Sequence, residues 1–485
     1  MQALLTDLYQ LTMAQGYWRG GLADAQACFY VHFRENPFKG GYAIACGLAQ
    51  LAEQLEGFRF SSDDCAYLAT LKAAEGVPLF SPGFIDSLAG LALTVDVDAV
   101  REGTAVFPYE PVVRVMGPIL QCQLVETALI NIVNYQTLIA TKAARICEVA
   151  HGPVAEFGLR RAQGPAGGLF ASRAAIVGGC ASTSNVEAGR MFGVPVSGTH
   201  AHSWVMAHDD ELAAFRAFVD TFPHTSVLLV DTYDTLKGVR NAITVAKEME
   251  QRGQRLAGIR IDSGDLAWLS VQARGLLDDE GLGYVRIVAS NDLDEHTIQS
   301  LYEQGARIDS WGVGTRLVTA WDHPALTGVY KLCAIRKVPE GRWEPQLKVS
   351  EMRSKSTLPG LLAARRYLDA GGTFVGDMVY DEQMPPADDL IIDPVDELRR
   401  KDLAGCESMG LLEPLVRNGR TVAEPASALE AQKVTRESLG RLHPTNKRLL
   451  NPHSYPVGLE RALLAQRDRL LKDSLMLPGN GSQGA

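Results

Sequence analysis

The sequence has no uninterrupted apolar run approaching about 18 residues, the length a helix needs to cross a bilayer, so no membrane span is expected. It also has no excess of positive charge. Forty-seven Lys and Arg face 57 Asp and Glu, a net charge of −10, which argues against a general nucleic-acid binder. A few local arginines would still serve a small phosphate-bearing ligand. Among the eight cysteines (Cys28, Cys46, Cys65, Cys122, Cys147, Cys180, Cys333, Cys406) there is no Cys-x-x-Cys. Zinc is therefore disfavoured, and reduced, buried thiols of a cytoplasmic protein are expected. A Walker A loop is missing, and no Gly-x-Gly-x-x-Gly sits at a first strand–helix turn. The opening MQALLTDLYQ carries an acid early and lacks a basic, then apolar, leader pattern, so no signal peptide is expected.

What is present is ordinary globular composition, 46% apolar and 21% charged over 485 residues, enough for about two or three domains. Residues 4–17 read as a helix with Leu4, Leu8, Leu11 and Ala14 on one stripe. Residues 28–34 alternate, with Phe29, Val31 and Phe33 on one face, and read as a strand. Short strands over 42–45 and 94–116 complete an N-terminal α+β domain, residues 1–122. A long helical run over 123–150 opens the next segment, 123–335, where short apolar runs end repeatedly in polar residues. Val194–Val196 leads to Ser197-Gly198-Thr199-His200-Ala201-His202, and Val227–Val230 to Asp231-Thr232-Tyr233-Asp234. Ile259–Ile261 leads to Asp262, Ile287–Ala289 to Ser290-Asn291, and Ile308–Trp311 to Gly312-Val313-Gly314-Thr315. Helical patterns fill the gaps. This alternation predicts a parallel sheet, with a barrel favoured and an open doubly wound sheet as its rival. Barrels carry their chemistry at the carboxyl ends of their strands. The C-terminal segment, 336–485, reads as a hairpin over 365–382 and mostly helices over 394–477, partly packing on the N-terminal domain.

Several of these strand ends carry residues suited to chemistry. His200 and His202 can form a metal site, since alternate residues on a strand share a face, with Asp231 or Asp262 as further ligands. Alternatively one imidazole does acid–base or nucleophilic work. Arg260 and Asp262 share one face of a strand, where charge is expensive unless paired or used. They are either an internal salt bridge or an anion clamp beside a carboxylate for hydroxyls or Mg2+. Arg160-Arg161 suit a carboxylate or phosphate, or form a solvated pair. Gly312-x-Gly314-Thr315 can present N–H groups to a phosphate or make only a tight turn. Asp231 to Asp234 serve a site or cap a helix. The residues alone point to a barrel enzyme for anionic, phosphate-bearing substrates with a histidine at its centre.

Taken in order, a series of motifs resembles nicotinate phosphoribosyltransferases. It runs from Leu5-Thr6-Asp7-Leu8-Tyr9-Gln10 and Phe33-Arg34-Glu35-Asn36-Pro37-Phe38 through Glu156-Phe157-Gly158-Leu159-Arg160-Arg161-Ala162-Gln163 and Ser182-Thr183-Ser184-Asn185. It continues with Gly198-Thr199-His200-Ala201-His202-Ser203, Arg260-Ile261-Asp262-Ser263-Gly264-Asp265, Ser290-Asn291-Asp292, Gly312-Val313-Gly314-Thr315 and Thr357-Leu358-Pro359-Gly360. The resemblance implies an irregular (β/α) barrel of the type II phosphoribosyltransferase kind, with a smaller α+β domain built from N- and C-terminal segments. It implies transfer of phosphoribosyl from phosphoribosyl pyrophosphate to nicotinate in NAD salvage, with Mg2+ and with ATP as co-substrate through a phosphohistidine at His202. A cytoplasmic homodimer is implied, with no nucleic-acid or membrane partner.

By the same resemblance, His202, Asp262 and Arg260 are catalytic. Phe157 and a Tyr9 donated by a second subunit sandwich the pyridine, and Arg260 and Arg160 meet its carboxylate. Thr199 contacts nicotinate or phosphate. Asp262 and Asp231 face the phosphoribosyl pyrophosphate and Mg2+, Ser290 and Asn291 are substrate contacts, Gly314 and Thr315 hold the 5-phosphate, and Thr357 is a further contact. No dedicated metal-ligand set is assigned. Ser184 stands where the related nicotinamide enzymes resemble this chain but carry Asp, so repulsion of a carboxylate is absent here. The rival readings are a barrel metallohydrolase with His200 and His202 as ligands, a quinolinate phosphoribosyltransferase, and a scaffold that binds nucleotide without turnover.

Overall fold

The computed structural model describes residues 3–338, 340–349 and 357–476. The chain divides into two compact units. One comprises Ile139–Pro324 and Ala428–Thr435, the other Met1–Leu138, Ala325–Ser427 and Arg436–Ala485. The first division falls inside the helix Glu126–Val149 rather than at the expected 122, which lies within the preceding short helix Ile119–Leu124. The α+β unit, expected to be the smaller, takes the larger share of the chain.

The unit centred on 139–324 is built on a six-stranded parallel sheet. Its spatial order is Ser182–Thr183, Val154–Glu156, Ser310–Val313, Arg286–Asn291, Gly258–Ile261, Val227–Leu229. Helices Thr235–Gln251, Leu266–Asp279 and Glu295–Glu303 follow three of the strands. Each begins on an aspartate whose side chain accepts a backbone N–H of the first turn: Asp234 from Lys237, Asp265 from Trp268 and Asp294 from Thr297. The 235–251 helix buries Val239, Ala242, Val245, Ala246 and Met249 along one stripe. It sits so close to the preceding strand that a Cβ at Gly238 would fall 2.0 Å from the Val230 carbonyl oxygen.

The barrel is irregular at one seam. Val194–Val196, expected as a stave, forms only an isolated bridge, Thr183 to Val196. Thr183 donates its N–H to the Pro195 carbonyl at 3.0 Å and accepts from Ser197 N–H at 2.9 Å. Toward the Val227–Leu229 strand the joint is made by side chains. The Thr199 hydroxyl donates to the Val227 carbonyl, and His200 Nε2 accepts the Leu229 N–H at 3.2 Å. A strand containing Pro195 and Gly198 is a poor ladder partner, and two polar side chains take the ladder's place.

The other unit holds a seven-stranded sheet in which Gln26–His32 is central, antiparallel to both Val113–Pro118 and Val329–Arg336. Both faces of Gln26–His32 are buried, so its alternation does not mark one solvent face. A second six-stranded sheet contains the expected hairpin, Leu362–Leu368 with Phe374–Asp381. Cys28, Tyr30 and Cys333 from the first sheet pack with Leu362, Val379, Leu459 and Leu463. The first helix runs Leu8–Arg19, starting later than expected, and its buried stripe is Gln10, Leu11 and Ala14. Leu8 is exposed. Between 400 and 421 the chain forms four strands, Arg400–Asp402, Glu407–Gly410, Leu412–Arg417 and Arg420–Thr421, where helices are expected. Tertiary pairing decides this: Leu412–Arg417 lies antiparallel to Asp96–Val100, and Glu407–Gly410 to the 362–368 strand.

Candidate active site

Strand carboxyl ends bring most of the expected residues together in the barrel unit. Arg260 and Asp262 stand two apart on the Gly258–Ile261 strand and its first loop residue, so both point to one side. Arg260 donates to Asp262 Oδ1 at 2.8 Å and, through Nε, to Ser290 Oγ at 2.7 Å. The Ser290 hydroxyl donates in turn to Asp262 Oδ1. Burial pushes the Asp262 carboxyl up, but the hydrogen bonds from Ser290 and Arg260 and the charge of Arg260 outweigh it and hold it below the usual carboxylate range. Asp262 Oδ2 lies 3.8 Å from His202 Nε2. The other imidazole nitrogen, Nδ1, is 3.1 Å from the Thr232 hydroxyl.

His200 has a different fate. Its Nε2 is occupied by the Leu229 N–H, and burial foremost, with Arg260 and His202, lowers its pKa to about 4. It is a neutral structural acceptor at neutral pH. Among the described residues no three His, Cys, Asp or Glu ligand atoms converge around His200 and His202. This corrects the metallohydrolase reading: one imidazole is spent on the barrel seam, and a ligand set does not assemble. Thr199, expected to contact substrate, spends its hydroxyl on the same seam.

Asp231 and Asp234 separate cleanly. Asp234 is the cap of the following helix, while Asp231 Oδ2 accepts the Asp262 N–H at 3.0 Å and the Ser263 hydroxyl at 2.6 Å. Asp231 Oδ1 is buried with no hydrogen-bond partner. Phe157 lies beneath Arg260, whose guanidinium carbon is 5.8 Å from the ring centroid. Gly312 makes room for this ring: a Cβ there would meet it at 2.7 Å. Gly314 has a packing reason too, since its Cβ would come within 3.2 Å of the Phe157 carbonyl oxygen. Thr315 starts the short helix Thr315–Val318. Arg160 is exposed on the turn Leu159–Arg161, and Ser184 is half-buried, donating its N–H to the Glu156 carbonyl at 2.9 Å. Asn291 holds a φ of 131°, a conformation rare for any residue but glycine, at the end of its strand.

Tyr9 and Thr357 belong to the other unit. Tyr9 is half exposed on the Leu8–Arg19 helix. Thr357 is buried, and its hydroxyl accepts the Lys348 N–H at 2.9 Å. Thr232, bonded to His202, and Glu156, bonded to the Gly158 N–H beside Phe157, adjoin the candidate site, and the sequence reading assigns neither a role. Thr232 is hidden because a helix cap explains its neighbourhood equally well, and Glu156 because a strand-terminal acid ordinarily faces solvent.

Family models match three stretches of the chain. Residues 4–134 fit the nicotinate phosphoribosyltransferase N-terminal domain, 153–344 the family itself and 363–467 its C-terminal domain. The chain belongs to the nicotinate phosphoribosyltransferase family. It is 44% identical to the nicotinate phosphoribosyltransferase of Bacillus subtilis, covering 94% of this chain and 92% of that protein. It is 35% identical to the Bos taurus nicotinate phosphoribosyltransferase, with 96% of each covered. The crystal structure of human nicotinic acid phosphoribosyltransferase superimposes with a TM-score of 0.84 at 33% identity, covering 96% of this chain and 100% of that one. A nicotinate-nucleotide pyrophosphorylase from Pyrococcus furiosus, at 22% identity and TM-score 0.69, shares the fold. No helix among the described residues is long and apolar enough to cross a membrane.

Proposed function

We propose that this family member transfers phosphoribosyl from phosphoribosyl pyrophosphate to nicotinate, giving nicotinate mononucleotide and pyrophosphate in NAD salvage, and that ATP drives the reaction by phosphorylating His202, with ADP leaving and the phosphoryl group passing afterwards to water. The observation that carries this reading is the chain of contacts Ser290–Arg260–Asp262–His202 at the barrel mouth. It places a fixed cation, a carboxylate held ionised and an accessible imidazole side by side.

Arg260 pairs with the nicotinate carboxylate while the pyridine lies against Phe157, with Arg160 and Ser184 on the same pocket. The pyridine nitrogen attacks C1 of the ribose. The C1–oxygen bond breaks, and its electron pair leaves with pyrophosphate. Asp262 faces the positive charge that develops on the ribose, and Ser290, Asn291, Gly314 and Thr315 hold the phosphate side. The free oxygen of Asp231 is a buried acceptor without a donor, a fit for a hard cation or a ribose hydroxyl. Asp231 and Asp262 would hold Mg2+, which when bound neutralises pyrophosphate charge. Thr232 fixes Nδ1 of His202 and leaves Nε2 toward Asp262. Thr357 and the partner subunit's Tyr9 complete the substrate contacts in a homodimer. The setting proposed is cytoplasmic, where the eight cysteines stay as thiols.

The test is product formation from nicotinate, phosphoribosyl pyrophosphate and Mg2+, with and without ATP, in the wild type and His202→Ala. Wild type makes nicotinate mononucleotide faster with ATP, and the variant keeps only an ATP-independent trickle. An ATP stimulation that survives in the variant overturns the assignment of His202, and no mononucleotide from wild type under any condition overturns the whole reading.

A further inference from the structure

Glu156 ends the Val154–Glu156 strand with none of its side chain exposed. A buried carboxylate is expensive unless donors satisfy its oxygens. Three converge here. The Gly158 N–H meets Oε1, while the Ser172 hydroxyl at 2.8 Å and the Thr183 hydroxyl at 2.6 Å meet Oε2. Two of the donors come from two walls of one pocket, and Ser172 from the helix Gly164–Val177. Gly158 follows Phe157 and opens the turn that carries Arg160. Thr183 precedes Ser184, which is tied in addition to the Glu156 carbonyl.

The ring of contacts closes on itself. Thr183 Oγ1 accepts the Asn185 N–H at 3.0 Å, and Asn185 Nδ2 donates to Ser172 Oγ at 3.1 Å. Phe157 is meanwhile wedged by Gly312 and covered by Arg260. An apolar residue at 156 would pack at lower cost but would leave the Gly158 N–H without its partner and the two loops untied. We infer that Glu156 is a positioning residue: it sets the spacing and facing of Phe157 and Ser184, and through them the affinity for nicotinate. The inference rests on the pyridine pocket proposed above.

Glu156→Gln separates this from a general structural role. The amide oxygen can stay on the Gly158 N–H, which turns the amide NH2 toward the two hydroxyls. Ser172 can redirect its proton to the Gly168 carbonyl, 3.0 Å away. The Thr183 hydroxyl donates to no acceptor but Glu156 among the described residues, so its proton is stranded against the amide NH2 and the Ser184 side is released. The KM for nicotinate then rises about tenfold, the loss of one good hydrogen bond, while kcat and the KM for phosphoribosyl pyrophosphate stay within about twofold. Thr183→Val moves the nicotinate KM in the same direction, and carries the test if E156Q does not fold. An unchanged nicotinate KM in the folded variant, or equal changes in all three parameters, overturns the inference. Phe157→Ala keeps the two levels apart. If F157A raises the nicotinate KM and E156Q does not, only the role of Glu156 fails. If F157A leaves it unchanged, the pocket itself is misassigned and the inference falls with it.

Discussion

At the scale of residues, two imidazoles two positions apart do opposite work. His200 points its Nε2 at a backbone N–H of the next stave and is kept neutral; His202 turns toward Thr232 and Asp262. The difference is made by partners, not by residue type. The same holds for the base specificity argued at Ser184. Its half-buried side chain brings no charge to the pocket wall. Ser184→Asp adds one beside a carboxylate substrate. We expect the nicotinate KM to rise at least about tenfold, with turnover of nicotinamide improving relative to nicotinate. Competition assays with both substrates check it; an unchanged ratio would remove Ser184 from the specificity-determining set.

At the scale of elements, the seam of the barrel depends on Thr199 and His200 standing in for a ladder. That dependence has a pH signature. His200 holds a pKa of about 4 in the folded chain against an ordinary 6.5. Between those values the unfolded chain takes up a proton that the native state refuses. Stability is therefore complete above about pH 6.5 and falls as pH drops, by about 2 kcal/mol at pH 5. His200→Gln keeps an acceptor for Leu229 and cannot titrate, so its melting temperature should fall less between pH 7 and pH 5. Equal slopes in both proteins would refute the linkage. The same seam marks a limit of legibility. Staves such as Ile287–Ala289 announce themselves by a short apolar run, and their polar ends, Asp262 and Ser290, come with them. The seam misleads instead: Val194–Val196 offers the same kind of apolar run, but Pro195 and Gly198 make it a poor ladder partner and the joint is made by side chains. Glu407–Gly410 and Leu412–Arg417 do not announce themselves, being largely exposed strands specified by partners such as Val100, far away in sequence.

At the scale of the whole molecule, the residues with a proposed role in one reaction are split between two units, with Tyr9 and Thr357 outside the barrel unit. The Leu8–Arg19 helix leaves Leu8, Tyr9 and Met13 exposed, and Leu5 just before it is 66% exposed. An exposed apolar face of this kind is suited to being covered by another molecule. If that molecule is a second copy, as proposed, each site takes its histidine from one subunit and its tyrosine from the other. Tyr9→Ala and His202→Ala are then each nearly inactive alone, but a mixed dimer holds one site with both residues intact. Co-expressed in equal amounts, half of the dimers are mixed and half of their sites work, so about a quarter of wild-type activity returns. Were Tyr9 to serve its own chain's barrel, every site in the mixture would carry one lesion. The co-expressed pair would then be no more active than the better single variant, which would place Tyr9 in its own subunit's site.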